Sequence, residues 1–318
     1  MSTPTIPGHP GGPEIPEIPP ATPISPRAIV RARRRAAASR FTGAFRRHRS
    51  GMLGLAVLIT FAALALLAPL LFPRAMIDVT QATAAPFEPP SFAYPLGTDD
   101  SGRSVLALVV WGARISLLVG LAATVLSMLI GTSVGISAGH FRGWVGGGLD
   151  RLTDWFLVIP YLPLAIVLAT VLGRSLLNII IVIGVTSWPA TARLIRAQTL
   201  SVEGRPYLER AKALGAGNVH QMTRHVLPNV MPLVLANTTL AVSISILSET
   251  TLSFLGLGDP SSVSWGSILE QAFSSGAISQ GAWWYLGSPG VCVVLVVLSF
   301  NLIGRAIEDI IDPRGTGA

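Results

Sequence analysis

The sequence has little of three residue types that carry most enzyme chemistry and covalent cross-linking. Its 318 residues include one cysteine, Cys292, so an intrachain disulfide is impossible. The only lysine, Lys212, is followed by Ala213, so no G-x-x-x-x-G-K-[ST] phosphate-binding loop exists. Five scattered histidines without an H-E-x-x-H motif give little support to a metal site. These shortages argue against an enzyme. A chain of this kind that moves solute against a gradient must rely on ATP hydrolysis by another subunit.

Charged residues are also scarce. They make up 12% of the chain against 50% hydrophobic residues, and the mean hydropathy is +0.59. Soluble domains carry roughly 25% charged residues. About half that fraction cannot cover a globule of this size, so lipid must replace water around much of the surface. The composition therefore predicts an integral membrane protein.

The net charge of +7 does not indicate a nucleic-acid partner. All basic residues except Lys212 are arginines, and nine of them lie within 27–49, directly before a long apolar run. A basic block in that position is typical of the cytoplasmic flank of a membrane span. It also resembles an organellar transit peptide, but a retained flank is favoured because a full-length span follows at once.

Residues 1–49 are predicted to be a disordered cytoplasmic tail, Pro-rich and then Arg-rich, because 1–26 contain nine prolines. The rest, 50–318, is predicted to be a domain of six transmembrane helices. Six uncharged stretches can each cross ~30 Å of hydrocarbon. They are 52–72, 115–139, 155–173 with a proline kink, 175–192, 226–248 and roughly 286–304. The chain is therefore predicted to be an all-α, polytopic membrane protein.

Basic residues predict the orientation of these spans. With the N-terminus inside, the inner segments hold 19 of the 23 basic residues. The loop between the last two spans, about 249–287, has three acidic residues and no lysine or arginine. Both termini are therefore expected to be cytoplasmic.

The inner loop at about 201–229 is expected to stand in the cytoplasm, because inserting its six charges would cost on the order of 15 kcal/mol or more. Pro206 suits a first helical position, and Gly215 can end that helix in a left-handed conformation. Asn218 followed by Gln221 resembles an N-cap with a reciprocal partner, which would open a second helix. The loop is therefore predicted to be a helix–turn–helix.

The first of these helices has one apolar stripe at helical spacing, formed by Tyr207, Leu208, Ala211 and Leu214. A short amphipathic helix with nothing of its own to bury against is a docking element. The alternative is a loop packed on its own spans, and the pattern alone does not decide between the two.

The same loop resembles the EAA loop of bacterial ABC importer permeases, through Glu209-Arg210-Ala211, Gly215 and the segment HVLPN at 225–229. The string YLERAKALGA at 207–216 is closest to the OppC/DppC branch, the oligopeptide, dipeptide and nickel permeases. Four further segments agree in order: GTDDSGR at 97–103, GARISL at 112–117, LSFLGLG at 252–258, and NLIG at 301–304 with DPR at 312–314. The resemblance covers about residues 45–315. The chain departs from the pattern at Arg210 for the middle alanine, Ser104 for an acid and Arg305 for an aspartate.

The resemblance implies the type I ABC importer permease fold and a transport subunit rather than an enzyme. It implies half of a translocation pathway for di- or oligopeptides in a bacterial plasma (inner) membrane, with nickel or another small solute as the alternative cargo. The implied partners are a homologous second permease, two cytoplasmic ABC ATPases, an extracytoplasmic solute-binding protein and membrane lipid. ATP and magnesium would bind to the ATPases, and this chain would bind no cofactor.

By the same resemblance, Glu209, Ala211 and Gly215 would position the docking helix in a cleft of one ATPase. The expected coupling residues are Tyr207, Leu208, Glu209, Ala211, Leu214, Gly215 and Ala216.

The candidates for the pathway or the outer face are Glu249, Asp99, Asp100, Arg103, Trp283 and Asn301. Glu249 ends the fifth span and could bind a cationic substrate or the binding protein, although such an acid more often caps or pairs locally. Ion pairing that shapes an outer loop is favoured for Asp99, Asp100 and Arg103. Trp283 suits an outer aromatic belt better than a substrate gate. Asn301, like Asn237 and Ser187, is expected to hydrogen-bond between helices rather than line a pathway.

Two functions of other classes also fit a helical membrane protein. A channel needs no ATPase and would leave the docking loop unexplained. A polytopic membrane enzyme needs paired catalytic residues at membrane depth, and no two Asp, Glu or His residues fall inside the predicted spans. Co-purification with an ATPase and ATP-dependent uptake into vesicles distinguish the three.

Overall fold

The computed structural model describes residues 39–311, and within them the chain is helical apart from turns and one isolated antiparallel bridge. Five helices are long and apolar enough to cross a membrane. They are α1 (Arg49–Leu71), α2 (Val105–His140), α5 (Leu176–Glu203), the continuous helix Asn218–Leu257 and α10 (Trp283–Ile311). A bent pair of shorter helices provides a sixth crossing if it counts as one span. The predicted all-α, polytopic fold is confirmed.

The shorter helices are α3 (Trp144–Val158), α4 (Tyr161–Leu172), α6 (Pro206–Ala213), α7 (Asn218–Gln221), α8 (Leu227–Leu252) and α9 (Trp265–Ser274). The π-helical turns Met222–Val226 and Ser253–Leu257 flank α8, so α7, both turns and α8 follow one another without a gap from Asn218 to Leu257. The helix is kinked near its end at Gly256, where φ is +75°.

The predicted N-terminal tail lies mostly outside the described residues, as does the DPR segment at 312–314. The last part of the tail differs from the prediction, because residues 39–47 are helical and α1 begins at Arg49. His48 separates the two helices and caps α1 by accepting a hydrogen bond from the Gly51 N–H. The other ring nitrogen of His48 lies 3.0 Å from Asp309 on α10. Residues 44–48 therefore lead directly into packed structure.

The second span is longer at its start than the predicted 115–139. Helix α2 has 36 residues, about 54 Å at 1.5 Å per residue, which exceeds ~30 Å of hydrocarbon. The charge of Arg114 ended the predicted span, but α2 continues past it to Ser104, which caps the helix by accepting a hydrogen bond from the Ala107 N–H. Ser104 therefore replaces the family's acid with another N-capping residue.

Helices α2 and α5 form the most extensive helix–helix contact among the described elements. A Cβ atom at Gly131, Gly135 or Gly139 would come within 2.6–2.8 Å of an atom of α5. These three glycines meet Thr191, Ala192 and Thr199 in the same order, so the two helices run parallel. Small residues at four-residue spacing allow this close backbone approach.

The third predicted span, 155–173, is not one kinked helix. Helices α3 and α4 meet at 90°, and Pro160 stands at the break because a proline cannot continue the hydrogen-bonding of a helix. Because α2 and α5 run parallel, the chain between them must return to its starting side. The bent pair is the only part of the chain that can make that return, which supports a sixth crossing.

Helix α9 lies in the segment 249–287, which the sequence pattern predicts to be a loop. It opens with a capping box in which Ser264 and Ser267 satisfy each other's backbone N–H groups. Its first residue, Trp265, is fully buried, packs edge-on against Phe61 at 5.6 Å and donates its indole N–H to the Val109 carbonyl. The helix has only ten residues, and an amphipathic pattern of that length does not stand out from the surrounding loop.

We expect Gly135→Ala to destabilise the protein by about 1–3 kcal/mol, because its methyl group would overlap the Ala192 carbonyl oxygen at 2.6 Å. The measurement is the apparent melting temperature in detergent. Gly148→Ala is the matched control, since Gly148 is also helical and has no atom of the described residues within 4 Å of an added Cβ. Equal melting temperatures for the two variants would contradict the close α2–α5 packing.

Candidate functional site

The predicted helix–turn–helix is present. Helix α6 starts with Pro206 at its first position and ends in a turn that satisfies the orphan carbonyl groups of its last residues. In that turn the Gly215 N–H donates to Lys212 and the Ala216 N–H donates to Ala211, both at 3.0 Å. Gly215 has φ +83°, the left-handed conformation that glycine adopts without strain.

The predicted single apolar stripe on α6 divides into two faces. Leu208 is fully buried and belongs to a cluster with Ile136 of α2, Ile195 of α5 and Val230 of α8. Leu214 is 88% exposed, because it follows the last residue of the short helix and points away from the spans. The loop is therefore both packed on its own spans and exposed, and the two alternatives are not exclusive.

The exposed part of the loop carries large apolar side chains. Besides Leu214, Val219 is 70% exposed and Tyr207 is 38% exposed. Glu209 and Arg210 are also exposed, so the arginine that departs from the family pattern projects into solvent without disturbing the packing of Leu208. Apolar side chains grouped on a charged cytoplasmic-type loop are typical of a surface that a partner covers.

Four polar residues, which we call the Glu203 latch, hold this loop to the ends of α2 and α5. The carboxylate of Glu203, at the end of α5, lies 2.6 Å from His140 Nδ1, at the end of α2. Its second oxygen accepts a hydrogen bond from Lys212 Nζ at 2.6 Å. His140 Nε2 lies 3.3 Å from Asn218 Oδ1. The latch therefore connects α2, α5, α6 and α7 through side chains alone.

His140 and Glu203 were not among the expected coupling residues. The signal available in the sequence was that the only lysine lies nine residues after Glu203 in a loop with few other acids. His140 gave no signal, because it lies 63 positions from Glu203 and is brought to it only by the parallel packing of α2 on α5.

The predicted N-cap of the second helix is wrong. Gly217 is the N-cap and Asn218 is the first helical residue, with its side chain turned to His140. The Gln221 amide reaches back to the Ala216 carbonyl rather than to a capping residue. Both side chains stabilise the turn between α6 and α7. The π-helical turn Met222–Val226 then joins α7 to α8, and such turns frequently occur at functional sites.

Three candidates at the other end of the spans, Asp99, Asp100 and Arg103, form a hydrogen-bonded cluster, which we call the Asp99 cluster. Asp99 is fully buried and accepts hydrogen bonds from the backbone N–H groups of Ser101 and Arg103. The Arg103 guanidinium pairs with Asp99 at 2.6 Å and donates to Gln271 of α9 at 3.1 Å. The side chain of Asp100 lies 3.2 Å from the Tyr285 hydroxyl on α10. The Asp99–Arg103 ion pair shapes the loop, whereas Asp100 has no ion pair within residues 39–311 and accepts a hydrogen bond from Tyr285. Hydrogen bonds of Arg103 and Asp100 connect the loop to α9 and α10.

Glu249 is fully buried rather than at an exposed helix end. It accepts hydrogen bonds from Ser116 of α2 at 2.9 Å and from Ser253 at 2.8 Å. Ser116 in turn accepts from the Trp265 N–H at the start of α9. Glu249 therefore sits at the junction of α2, α8 and α9, where its local pairing is complete.

The remaining candidates differ in their surroundings. Trp283 is exposed, whereas the neighbouring Trp284 is buried and donates to the Thr98 carbonyl. Asn301 donates to Val297 in its own helix, and Ser187 to Ile183 in its own helix. Interhelical bonding was therefore a wrong expectation for these two, because each side chain reaches a carbonyl one turn back. Asn237 does bond between helices, to Thr191.

We call the segment 204–217, which joins α5 to α7 and contains α6, the α6 loop. We expect Glu203→Ala to release the α6 loop from α2 and α5. A buried hydrogen-bonded partner is worth about 1–3 kcal/mol, so amide hydrogen exchange across 206–216 should quicken on the order of 10-fold. Glu209→Ala is the matched control, because Glu209 is an exposed acid on the same loop with no ion pair among the described residues. Unchanged exchange in Glu203→Ala would show that Leu208 alone holds the loop.

Comparison with known families agrees with the geometry. Residues 131–316 match the family described as "binding-protein-dependent transport system inner membrane component". Residues 39–90 match the "N-terminal TM domain of oligopeptide transport permease C". The two matches together cover both the first span and the part of the chain that contains the α6 loop.

Individual relatives align over most of their length. A putative peptide transport system permease protein of Brucella abortus is 36% identical over 84% of this chain and 89% of the relative. The dipeptide transport system permease protein DppC of Haemophilus influenzae is 35% identical over 85% of this chain and 92% of its own. The glutathione transport system permease protein GsiD of Pectobacterium atrosepticum is 34% identical over 71% and 75%.

These matches also settle the fold class and the question of enzymatic activity, since the family consists of ABC importer permeases of type I fold, which are transport subunits and not enzymes. With its multiple membrane-spanning helices and its α6 loop, the chain belongs to the family of binding-protein-dependent transport system inner membrane components.

Proposed function

We propose that this permease subunit carries short peptides, of two to several residues, as half of a translocation pathway. The single observation that carries the proposal is its extensive similarity to permeases named for peptide, dipeptide and glutathione transport. Glutathione is itself a small peptide, so the three relatives share one cargo chemistry. The other half of the pathway would come from a homologous second permease, and an extracytoplasmic solute-binding protein would deliver the peptide.

The α6 loop is the part that couples this subunit to an ATPase. Its exposed side chains, Tyr207, Glu209 and Leu214, would enter a cleft of one of two cytoplasmic ABC ATPases, which bind the ATP and magnesium. Leu208 and the Glu203 latch then pass a displacement of α6 to the ends of α2 and α5. Because packed helices have discrete arrangements, the movement is a rigid-body switch between inward- and outward-facing states.

The proposed location is a bacterial plasma membrane with both termini in the cytoplasm. The arginine-rich segment before α1 and the charged α6 loop support this orientation, since basic segments stay on the cytoplasmic side. The Asp99 cluster would then face the binding protein.

Cysteine labelling tests the orientation. In a Cys292→Ser background, we expect Leu214→Cys to react with a membrane-impermeant maleimide only from the cytoplasmic side. Trp283→Cys should react only from the outside, because both side chains are exposed and lie near opposite ends of the spans. The reverse pattern would contradict the proposed orientation.

Uptake into liposomes tests the function. The complete transporter, reconstituted with its second permease, ATPases and binding protein, should import a radiolabelled dipeptide only when ATP is present. We expect Gly215→Glu to abolish uptake and weaken retention of the ATPases while membrane insertion survives. The physical reason is the φ of +83° at Gly215, which a side chain occupies at a cost of about 1–2 kcal/mol.

Gly217→Ala is the matched control. Gly217 lies in the same turn with equal space around it, but its φ of −69° suits any residue, so uptake should be normal. Normal uptake by Gly215→Glu would contradict the coupling role of α6. An intact complex that hydrolyses ATP but imports no di-, tri- or oligopeptide would instead contradict the proposed cargo.

A further inference from the structure

We propose that a groove between α1 and α2 binds one anionic phospholipid, with the phosphate between Arg74 and Arg114 and an acyl chain along the apolar wall beside them. The groove has a volume of about 750 Å³, within the roughly 300–1,000 Å³ usual for small-molecule sites. It is independent of the peptide cargo and of the α6 loop.

Two arginines define the polar end of the groove. The guanidinium carbon of Arg74 lies 5.5 Å from the ring centre of Trp111, and that of Arg114 lies 5.2 Å from it. Both guanidinium groups therefore lie against one indole and line the same groove. Neither arginine has a carboxylate ion pair within residues 39–311. Two like charges that line one groove without a carboxylate ion pair favour the binding of an anion.

The single acid that lines the groove, Asp78, offsets only one of the two positive charges and pairs with neither arginine. The Asp78 carboxylate accepts hydrogen bonds from the Thr80 N–H and hydroxyl groups at 2.9 and 2.7 Å. These bonds, led by the one from the hydroxyl, lower the pKa of Asp78 below its ordinary value, so it stays charged but turned to Thr80. One positive charge in excess therefore remains at this end of the groove, and it favours an anion from outside the chain.

The arginines lie at the level where a span ends. The Trp111 indole N–H donates to the carbonyl of Phe72, the residue directly after α1, at 3.0 Å. Tryptophan and arginine concentrate at the boundary between hydrocarbon and water, where lipid phosphates lie. Basic pockets between spans on the cytoplasmic side of membranes receive anionic headgroups, and the two arginines offer the same chemistry at the opposite end of the spans.

The other end of the groove is lined by apolar side chains. Its wall is formed by Ala62, Ala65 and Leu66 of α1 and by Leu117, Leu118 and Leu121 of α2, and Leu66, Leu118 and Leu121 are exposed. A peptide lying there would leave its backbone N–H and C=O groups without partners, which costs several kcal/mol each. An acyl chain has no such groups. A phosphodiester joined to an acyl chain therefore matches both ends of the groove.

Native mass spectrometry of the complete transporter tests the proposal. The complex is exchanged into detergent micelles that contain equal amounts of phosphatidylglycerol and phosphatidylcholine. We expect the wild type to retain one phosphatidylglycerol more than Arg74→Gln/Arg114→Gln. Because two basic residues are lost, the preference for phosphatidylglycerol should fall on the order of 10-fold or more in the double variant.

Arg174→Gln/Arg305→Gln is the matched control. It removes two exposed arginines that line no part of the groove, and it should retain phosphatidylglycerol as the wild type does. Equal retention by both double variants, or no preference in the wild type, would overturn the proposal.

Two further measurements identify the occupant. Free glycerol 3-phosphate should not displace the lipid, and displacement would show that the site needs only a phosphate. Leu118→Cys, in a Cys292→Ser background, should not cross-link to cysteines introduced into the second permease. A cross-link would show that a protein segment covers the groove, and the lipid proposal would fail.

Discussion

The close parallel packing of α2 on α5 is the contact on which the rest of the structure depends. Glycines at four-residue spacing bring the two backbones together, where any side chain would meet the carbonyls and Cβ atoms of the neighbour. This contact requires the chain between them to cross back through the bent pair α3 and α4. It also places His140 beside Glu203, and so creates the point at which the α6 loop is held.

Most of the fold could be predicted from the sequence because lipid imposes a simple rule. A segment that crosses hydrocarbon must be helical and free of charge, so each predicted span has a counterpart. The errors arose where the rule stops applying. Arg114 hid the first turns of α2, which are buried against protein rather than lipid. The 90° break at Pro160 and the short helix α9 depend on tertiary contacts, of which the sequence pattern holds no record.

The candidate site was predictable where it depends on local backbone chemistry. The sequence predicts Pro206 at the first position of a helix and Gly215 in the left-handed conformation that ends it. The structure has both residues in those conformations. The complete Glu203 latch was not predictable, because His140 lies 63 positions from Glu203 in the chain. Asn218 shows the limit of local patterns: it is a good N-cap residue, yet it lies one position inside the helix, where His140 is within reach.

Helix α2 has a mechanical consequence. It is one unbroken rod whose first turn follows directly from the Asp99–Arg103 loop and whose last residue belongs to the Glu203 latch. No hinge glycine with positive φ interrupts it within the described residues. An event at either end is therefore delivered to the other by a single stiff member, without relay through intermediate joints. Under the proposed function, thermodynamic reciprocity would require that cargo binding at one end change nucleotide affinity at the other by the same factor as nucleotide binding changes cargo affinity.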